Sequence, residues 1–300
     1  MSSAPPSKRR ATANEFCIRV TQPSTARTMI DMVHAVLPTS CTFEVQKDDD
    51  FEGLVVEEMD EKKCCIVHAR LRCDVDLATN CSTSFALSLK DMSVCMRGVS
   101  GHYIMEMSKP KDSEEVHILS RDAVSDAKIN ACTLKTLCDD YSKASMKQME
   151  YDYTVRIDLP VFRSIVKMAK DLGADKLEFK VYKKKEENGC IVFCLRADGN
   201  GSSSTTHYFP SSSTGSGEEG NVFSATNTSE DVDDLEDAEK WELAYSDMFG
   251  INYLTTFIRS MDRQVVTLRI SPKQPLIILF PLGGDDSYVC YILAPKDDED

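Results

Sequence analysis

Two stretches of the sequence, Leu89-Lys-Asp-Met-Ser-Val-Cys-Met-Arg97 and Ile251-Asn-Tyr-Leu-Thr-Thr-Phe-Ile-Arg259, have the same pattern and decide the predicted fold. In each of them, apolar residues recur at helical spacing and an arginine ends the run. A β-strand is predicted after each helix, beginning near Tyr103 and near Val265. This repetition indicates that the chain consists of two related halves.

The rest of the sequence repeats the same alternation of helices and strands. Further helices are predicted from Ser24 to Leu37 in the first half and from Leu159 to Leu172 in the second half. The predicted strands are Glu15–Val20, Thr42–Val45, Gly53–Glu58, Cys64–Leu71, Tyr103–Met107, Glu114–Leu119, Lys176–Tyr182, Cys190–Arg196, Trp241–Tyr245, Gln264–Ile270, Leu276–Pro281 and Tyr288–Leu293. The pattern predicts an α+β fold of two similar domains, each with two helices packed on antiparallel sheets.

Composition divides the chain into domains and connecting segments. The predicted segments are a flexible basic tail at 1–14, an N-terminal domain at 15–124, a connector at 125–152, a C-terminal domain at 153–296 and an acidic tail at 297–300. The connector carries only scattered apolar residues, so we expect it to cross the surface, with a further helical element as the alternative. Residues 211–240 are rich in serine, glycine and acids, and we predict a flexible acidic loop there.

The charge balance and the cysteine content limit the possible classes of function. The 300 residues carry a net charge of −14, from 35 basic and 49 acidic residues. This balance excludes a protein that coats nucleic acid with its whole surface, but not one whose positive charge lies on one face. No apolar run is long enough to span a membrane, and no apolar segment follows the basic N-terminus to make a secretory signal. Twelve cysteines without such a signal indicate a reducing compartment.

No motif in the sequence predicts catalysis, a metal site or a cofactor. Gly215-Ser-Gly-Glu-Glu-Gly220 satisfies a dinucleotide-binding pattern by letter, but two glutamates stand where a phosphate would approach. Cys190 and Cys194 lie in an apolar strand, so packing is favoured over zinc binding. Asp48–Gly53 resembles the start of a calcium loop, but Met59 occupies the position of the bidentate glutamate, so a solvated turn is favoured. We therefore expect a protein that is not an enzyme.

The predicted helices are more basic than the rest of the chain. Together they carry seven basic residues against three acidic ones, in a chain of net charge −14. On the third helix, Arg163, Lys167 and Lys170 stand at i, i+4 and i+7, opposite the apolar stripe. Two interpretations remain open, an ordinary solvated face or a surface that contacts phosphates without reading bases.

Several motifs, taken in order, resemble the eukaryotic-type DNA sliding clamp family, proliferating cell nuclear antigen. The similar segments are Leu54–Asp60 with its methionine-aspartate pair, Phe162–Gly173, Phe249–Arg259, Val265–Leu268, Pro275–Ile278 and Tyr291-Ile-Leu-Ala-Pro-Lys296. The resemblance covers residues 15–300. The chain departs from the family at Glu61-Lys62-Lys63, in the length of its acidic loop and in its extra N-terminal tail.

The resemblance implies a two-domain protomer that assembles into a ring with its helices lining a DNA channel. Matched by position, the family's channel cations fall on Arg27, Arg97, Lys167 and Arg259, and His34 stands where the family usually has a basic residue. The charge pattern of the helices adds Lys90, Arg163 and Lys170 to these predicted DNA-binding residues.

The resemblance also implies an apolar groove that binds partner peptides through an aromatic anchor. Its predicted residues are Met59, Cys64, Ile66, Leu134, Leu137, Pro275, Ile292, Ala294 and Pro295.

The expected function is that of a DNA sliding clamp, a polymerase processivity factor for replication and repair. Its expected partners are double-stranded DNA without sequence preference, a DNA polymerase and other enzymes with clamp-binding peptides, a clamp loader, and two further copies in a homotrimer. Two alternatives remain: a checkpoint-type subunit of a hetero-oligomeric clamp, and a monomeric processivity factor that holds DNA by charge. Lys8-Arg9-Arg10 favours a nuclear location. For a viral source, the expected location is the site of viral DNA replication.

Overall fold

The computed structural model describes residues 14–78, 82–99, 103–137, 149–185, 191–208, 221–224, 239–259, 265–283 and 286–296. Some of the predictions concern other parts of the chain and lie outside the described residues. They are the basic tail up to residue 13, the middle of the predicted connector at 138–148, most of the predicted acidic loop, the glycine pattern at 215–220 and the acidic tail at 297–300.

The described residues form four helices and eighteen strands, which confirms the α+β class. The helices are α1 (Pro23–Val36), α2 (Leu89–Arg97), α3 (Leu159–Asp171) and α4 (Ile251–Arg259). The strands are β1 (Asn14–Val20), β2 (Ser40–Lys47), β3 (Glu52–Met59), β4 (Cys65–Arg72), β5 (Asp74–Leu77), β6 (Ser82–Ser88), β7 (Tyr103–Pro110), β8 (Glu115–Asp122), β9 (Lys128–Lys135), β10 (Tyr153–Asp158), β11 (Lys176–Lys184), β12 (Ile191–Gly199), β13 (Ser202–Tyr208), β14 (Asn221–Ser224), β15 (Trp241–Gly250), β16 (Val265–Ile270), β17 (Leu276–Pro281) and β18 (Tyr288–Leu293).

The helices begin and end at residues with the expected stereochemistry. The Ser88 hydroxyl accepts a hydrogen bond of 3.3 Å from the Asp91 amide and caps the start of α2. Pro160 stands in the first turn of α3, where its missing N–H has no helical partner to lose. Gly173 follows α3 with φ of 76°, a left-handed conformation that glycine adopts at little cost.

Packing divides the chain into two compact units that alternate along the sequence. Unit 1 takes its described residues from 1–27, 39–56 and 71–141, and unit 2 takes its residues from 28–38, 57–70 and 142–300. Most of α1 and β4 therefore belong to the same unit as the C-terminal half. The predicted domain limits, 15–124 and 153–296, follow the repeated sequence pattern and stay a prediction.

Unit 1 contains a five-stranded antiparallel sheet in the order β5-β1-β7-β8-β9. Among its other strands, β3 and β6 pair with the two edges of β2. Stacked rings fill its core, since the Phe85 ring lies 4.8 Å from Phe16 and 5.6 Å from Phe43. Between β2 and β3, the Asp48 carboxylate accepts hydrogen bonds from backbone amides two and three residues later. This confirms a turn at Asp48–Asp50, whose residues are exposed, whereas Phe51 and Gly53 are buried.

Unit 2 contains a four-stranded antiparallel sheet in the order β13-β12-β11-β15 and a second series of paired strands, β14-β10-β16-β17-β18-β4. Helices α3 and α4 pack against each other. The buried residues of α3 are Leu159, Phe162, Ile165, Val166 and Ala169, and those of α4 are Ile251, Leu254, Phe257 and Ile258. These positions recur every three or four residues, as the sequence predicts for one buried face.

The strand pairings repeat between the two halves of the sequence. In each half, the strand before the first helix pairs antiparallel with the strand after the second helix, β1 with β7 and β10 with β16. The strand after the first helix pairs with the next strand and with the strand before the second helix: β2 with β3 and β6, and β11 with β12 and β15. Both halves end in antiparallel hairpins. The same pairings in the same order support the predicted duplication.

Six strands were not predicted from the sequence, namely β5, β6, β9, β10, β13 and β14. Strand β9 lies in the segment predicted as a connector, and β14 lies in the predicted acidic loop, so both predictions are wrong at those residues. Strand β13, Ser202–Tyr208, is almost wholly polar. Backbone hydrogen bonds to β12 hold it in the sheet, rather than a buried apolar face. Hydrophobic periodicity gives no signal for such a strand.

Tyr291 lies at the centre of unit 2. Its ring is fully buried, stacks on Phe257 with 4.1 Å between centroids, and meets Phe280 edge-on at 5.8 Å. Its hydroxyl donates a hydrogen bond of 3.0 Å to the carbonyl oxygen of Met32 in α1. Burial raises the pKa of the Tyr291 hydroxyl well above its ordinary value, so the group stays a donor. One side chain on β18 thus joins α1 to α4.

Replacing Tyr291 with phenylalanine should lower the free energy of unfolding by about 1 kcal/mol, because the buried Met32 carbonyl loses a donor while the ring is kept. Urea denaturation followed by far-UV circular dichroism measures this change. Tyr103→Phe is the matched control, since the half-buried Tyr103 hydroxyl has no hydrogen-bond partner among the described residues. Equal shifts in the two variants would contradict a specific role for the Tyr291 hydroxyl.

Candidate nucleic-acid and partner-binding surfaces

The exposed side of α3 carries two of the predicted DNA-binding cations. Lys167 and Lys170 are both exposed, one turn apart, and opposite the buried stripe of the helix. Arg259 is exposed at the end of α4, which packs beside α3. Because these side chains are long and solvated, they can contact phosphates without holding one fixed geometry.

Arg163, the third predicted cation of α3, has a different role. It is half-buried, and its Nε donates a hydrogen bond of 3.0 Å to the carbonyl oxygen of Ile258 in the last turn of α4. The carbonyl groups at a helix C-terminus lack helical partners and carry partial negative charge, so a guanidinium is a favourable cap. Arg163 therefore joins α3 to α4, and its role in DNA binding stays a prediction.

The remaining predicted DNA-binding residues are divided between the two units. Arg27 on α1 and Lys90 and Arg97 on α2 are exposed residues of unit 1. His34 on α1 is half-buried and belongs to unit 2 together with Arg259. The sequence correctly identified exposed basic positions on all four helices, with Arg163 and His34 less exposed than the rest.

One face of the sheet in unit 2 carries most of the predicted groove. The strand register aligns Ile277 of β17 with Ile292 of β18, and Ile292 with Ile66 of β4. We call this side of β16, β17, β18 and β4 the isoleucine face. Ile277 and Ile292 are buried, Ile66 is half-buried, and Met149 and Tyr151 pack against them. Ile292 forms the floor of the face, and a ligand would contact the more exposed Ile66.

The ends of the neighbouring strands border the isoleucine face. Cys64, Ala294 and Pro295 are exposed, and the Ala294 amide donates to the Cys64 carbonyl at 2.9 Å. Pro275 is half-buried, and its carbonyl accepts a hydrogen bond of 3.1 Å from the Tyr151 hydroxyl. These contacts bring predicted groove residues from β4, β17 and β18 together. Met59, at the end of β3, is an exposed apolar side chain of the same unit.

Leu134 and Leu137 were predicted in the groove; both belong to unit 1, and their role in the groove stays a prediction. Leu134 lies on β9, and Leu137 makes an isolated bridge to Ala86 of β6. Together with Val94 and Cys95 of α2, they line a surface cavity of about 480 Å³. The sequence did not reveal this position because β9 was not recognised as a strand.

Asp60, which follows Met59, was not singled out as a structural residue by the sequence. Its side chain is almost fully buried and accepts hydrogen bonds of 2.8 Å from the amides of both Cys64 and Cys65. It also accepts a hydrogen bond from the Tyr253 hydroxyl of α4. The turn between β3 and β4 is thus held against α4 by one carboxylate. The run of charges after Asp60 hid this role, because such a run is typical of an exposed turn.

Cysteine and histidine residues form no metal site among the described residues. No group of three or more metal-ligating side chains occurs in that part of the chain. Cys194 is buried in β12, where burial raises the pKa of its thiol to about 12, as expected for a packing residue. Its sequence neighbour Cys190 lies outside the described residues. Within the described helices, none is long and apolar enough to cross a membrane.

Comparisons of the chain with models of known protein families and with curated proteins return no match.

The Asp60 network should make a large contribution to stability. Asp60→Ala should lower the free energy of unfolding by about 2–4 kcal/mol, because two backbone amides and one hydroxyl lose a charged acceptor. Tyr253→Phe should cost about 1 kcal/mol alone and much less when Asp60 is already alanine. Chemical denaturation of the four proteins of this double-mutant cycle measures the coupling. Additive effects would contradict a direct contact between the two side chains.

Proposed function

We propose that the protein is a non-enzymatic DNA sliding clamp that tethers a DNA polymerase and other replication and repair enzymes to duplex DNA. The observation that carries this proposal is the duplicated connectivity, in which each half places two helices among the same antiparallel strand pairings. A ring of such repeats can present many equivalent helices toward one axis. The resemblance of the closing strands to the sliding clamp family agrees with this arrangement.

The charge of the helices supports a DNA-facing role for them. Arg27, Lys90, Arg97, Lys167 and Arg259 are exposed on helices of a chain whose net charge is −14. Such cations attract phosphates without reading bases, so binding is independent of sequence. Weak and exchangeable contacts of this kind permit the protein to slide.

Two strands that end their sheets, among the residues that the structure describes, support assembly into a ring. Strand β9 is the last strand of the five-stranded sheet, and β13 is the last strand of the four-stranded sheet. Unpaired edge strands readily pair with a strand of another chain. Pairing of two different edges is a heterologous contact, which generates a closed ring when the rotation between copies closes. We propose a homotrimer that is opened by a clamp loader, in the nucleus or at a site of viral DNA replication.

The proposed mechanism is topological. A closed ring around duplex DNA leaves only by opening or by sliding off an end, so no single protein–DNA contact has to be strong. Partner enzymes would bind through peptides that place apolar or aromatic anchors on the isoleucine face. No cofactor or metal takes part in this mechanism.

Assembly can be tested on the purified protein. Light scattering after gel filtration at micromolar concentration should give a mass near three times the 33.5 kDa of the chain. Dilution should shift the mass towards the monomer, because edge pairing is an equilibrium. A monomer at every concentration would contradict the homotrimer and leave the charge-based alternative.

Retention on DNA separates topology from charge. Changing Arg97, Lys167 and Arg259 to alanine should weaken loading, but protein already loaded on closed circular DNA should remain bound and should leave when the circle is cut. Gel filtration of radiolabelled protein with circular and linearised plasmid measures this difference.

Two comparisons complete this test. The control variant changes Lys111, Lys183 and Lys185 to alanine. These are three exposed lysines outside the helices, and the variant should load normally. A protein held by charge would instead bind circular and linear DNA equally weakly. Its salt dependence would also flatten, by about 0.9 log unit of slope for each phosphate that the variant no longer neutralises. Equal weakening on both templates would overturn the ring mechanism.

A further inference from the structure

The isoleucine face carries a row of basic side chains that the sequence analysis did not assign to any function. Ile277, Ile292 and Ile66 form a row of side chains across neighbouring strands. The row continues onto β16, where Arg269 stands opposite Ile277. Arg269 is exposed, so its guanidinium lies at the β16 end of the row Ile277, Ile292 and Ile66. Its charge opposes the effect of burial on the nearby Cys290, whose thiol pKa is nevertheless raised to about 12.

Further cations lie on the same side of the neighbouring strands. On β10, the exposed Arg156 stands opposite Thr267 of β16, in the row adjacent to Arg269. On β4, Arg70 stands opposite Tyr288 of β18 and hydrogen-bonds to its hydroxyl. The apolar centre of the face therefore has arginines at both of its edges.

His68 adds a fourth nitrogen-bearing side chain at the β4 edge. It stands opposite Cys290, and its Nδ1 lies 3.4 Å from the Tyr288 hydroxyl oxygen. The two rings meet edge-on with 5.4 Å between centroids. The Tyr288 hydroxyl thus lies between Arg70 and His68.

Carboxylates are few on the strands of this face, and β3, the next strand beyond β4, brings Glu57 and Glu58 of unit 2 to its β4 edge. Among the residues of β10, β16, β17, β18 and β4 in unit 2 whose register places them on it, Asp158 is the single acid, and it stands at the far end of β10 beside Val265. Asp152, just before β10, bonds to the Ser271 hydroxyl. In a chain with 49 acidic residues against 35 basic ones, this side of these five strands carries three arginines against one acid.

We propose that the isoleucine face binds a peptide whose apolar anchors are flanked by aspartate or glutamate residues. The inference rests on the proposed function, since it names the kind of partner that the clamp groove would accept. The half-buried Ile66, Leu279 and Tyr288 offer apolar area for the anchors, and Arg269 and Arg156 offer charge for the flanking acids. Complementary charge at the rim raises the association rate and rejects partners of the wrong sign.

A nucleic acid is a poorer fit to this face than an acidic peptide. Phosphate binding needs cations, but it does not need a continuous apolar row between them. The half-buried Ile66, Leu279 and Tyr288 instead provide the apolar area that side-chain anchors require. The guanidinium groups of arginine also pair in bidentate geometry with carboxylates.

Two short synthetic peptides test the proposal on the full-length protein. Both carry the same leucine and paired phenylalanine anchors, one flanked by glutamates and the other by lysines, and each bears a fluorophore for anisotropy. The wild-type protein should bind the acidic peptide at least about fivefold more tightly at low salt, and the preference should shrink at high salt.

Charge reversal at Arg269 tests where the preference arises. Arg269→Glu should weaken binding of the acidic peptide by about fivefold and strengthen binding of the basic one. Lys183→Glu, the same charge change at an exposed site on β11, should leave both affinities near those of the wild type. Circular dichroism confirms that the variants are folded.

Each outcome gives a separate answer. Equal affinity for the two peptides, with loss of both in Ile66→Glu, would overturn the acidic-partner inference and leave the groove of the proposed function intact. Binding of neither peptide would overturn both. Loss of duplex DNA binding in Arg269→Glu without any change in peptide binding would show that the face serves nucleic acid and would overturn the inference.

Discussion

The hydrogen bond from the Tyr291 hydroxyl to the Met32 carbonyl joins the last strand of the chain to its first helix. The donor is completely buried, and the same ring stacks on Phe257 of α4. A buried carbonyl without a donor is costly, so this contact favours a single placement of α1 on β18. It is one of the contacts that join α1 to the C-terminal half, the unit in which most of α1 lies. A second polar contact, from the Tyr253 hydroxyl of α4 to the Asp60 carboxylate, holds the β3–β4 turn against α4.

Two groups of positively charged side chains in this acidic chain lie in chemically different settings. On α3 and α4, Lys167, Lys170 and Arg259 stand on solvated helix surfaces with flexible stems. On the isoleucine face, Arg269 and Arg70 instead adjoin a floor of buried isoleucines and a tyrosine hydroxyl. The first setting suits brief, sequence-independent contacts with phosphates. The second combines apolar area with directional donors and suits a particular peptide.

Elements with a strong apolar period were predictable from local sequence. Helix α3 follows from its stripe of Phe162, Ile165 and Val166 after Pro160, and β17 and β18 follow from nearly continuous apolar runs. Strands β9 and β13 were missed because they lie at sheet edges and bury little apolar surface. Backbone pairing holds such strands, and the side-chain pattern does not record which backbone groups are paired.

The sequence by itself determined the α+β class, the repeated order of helices and strands, and the basic character of the helix surfaces, because each depends on residues near one another in the chain. Only the tertiary structure decided that Arg163 caps α4, that Leu134 and Leu137 belong to unit 1, and that Arg269 extends the row of Ile277, Ile292 and Ile66. Arg163 depends on how two helices pack, and for the strand residues the physical reason is register. A shift of one residue would turn every one of these strand side chains to the other side of the sheet, and register is set by long-range packing rather than by local sequence.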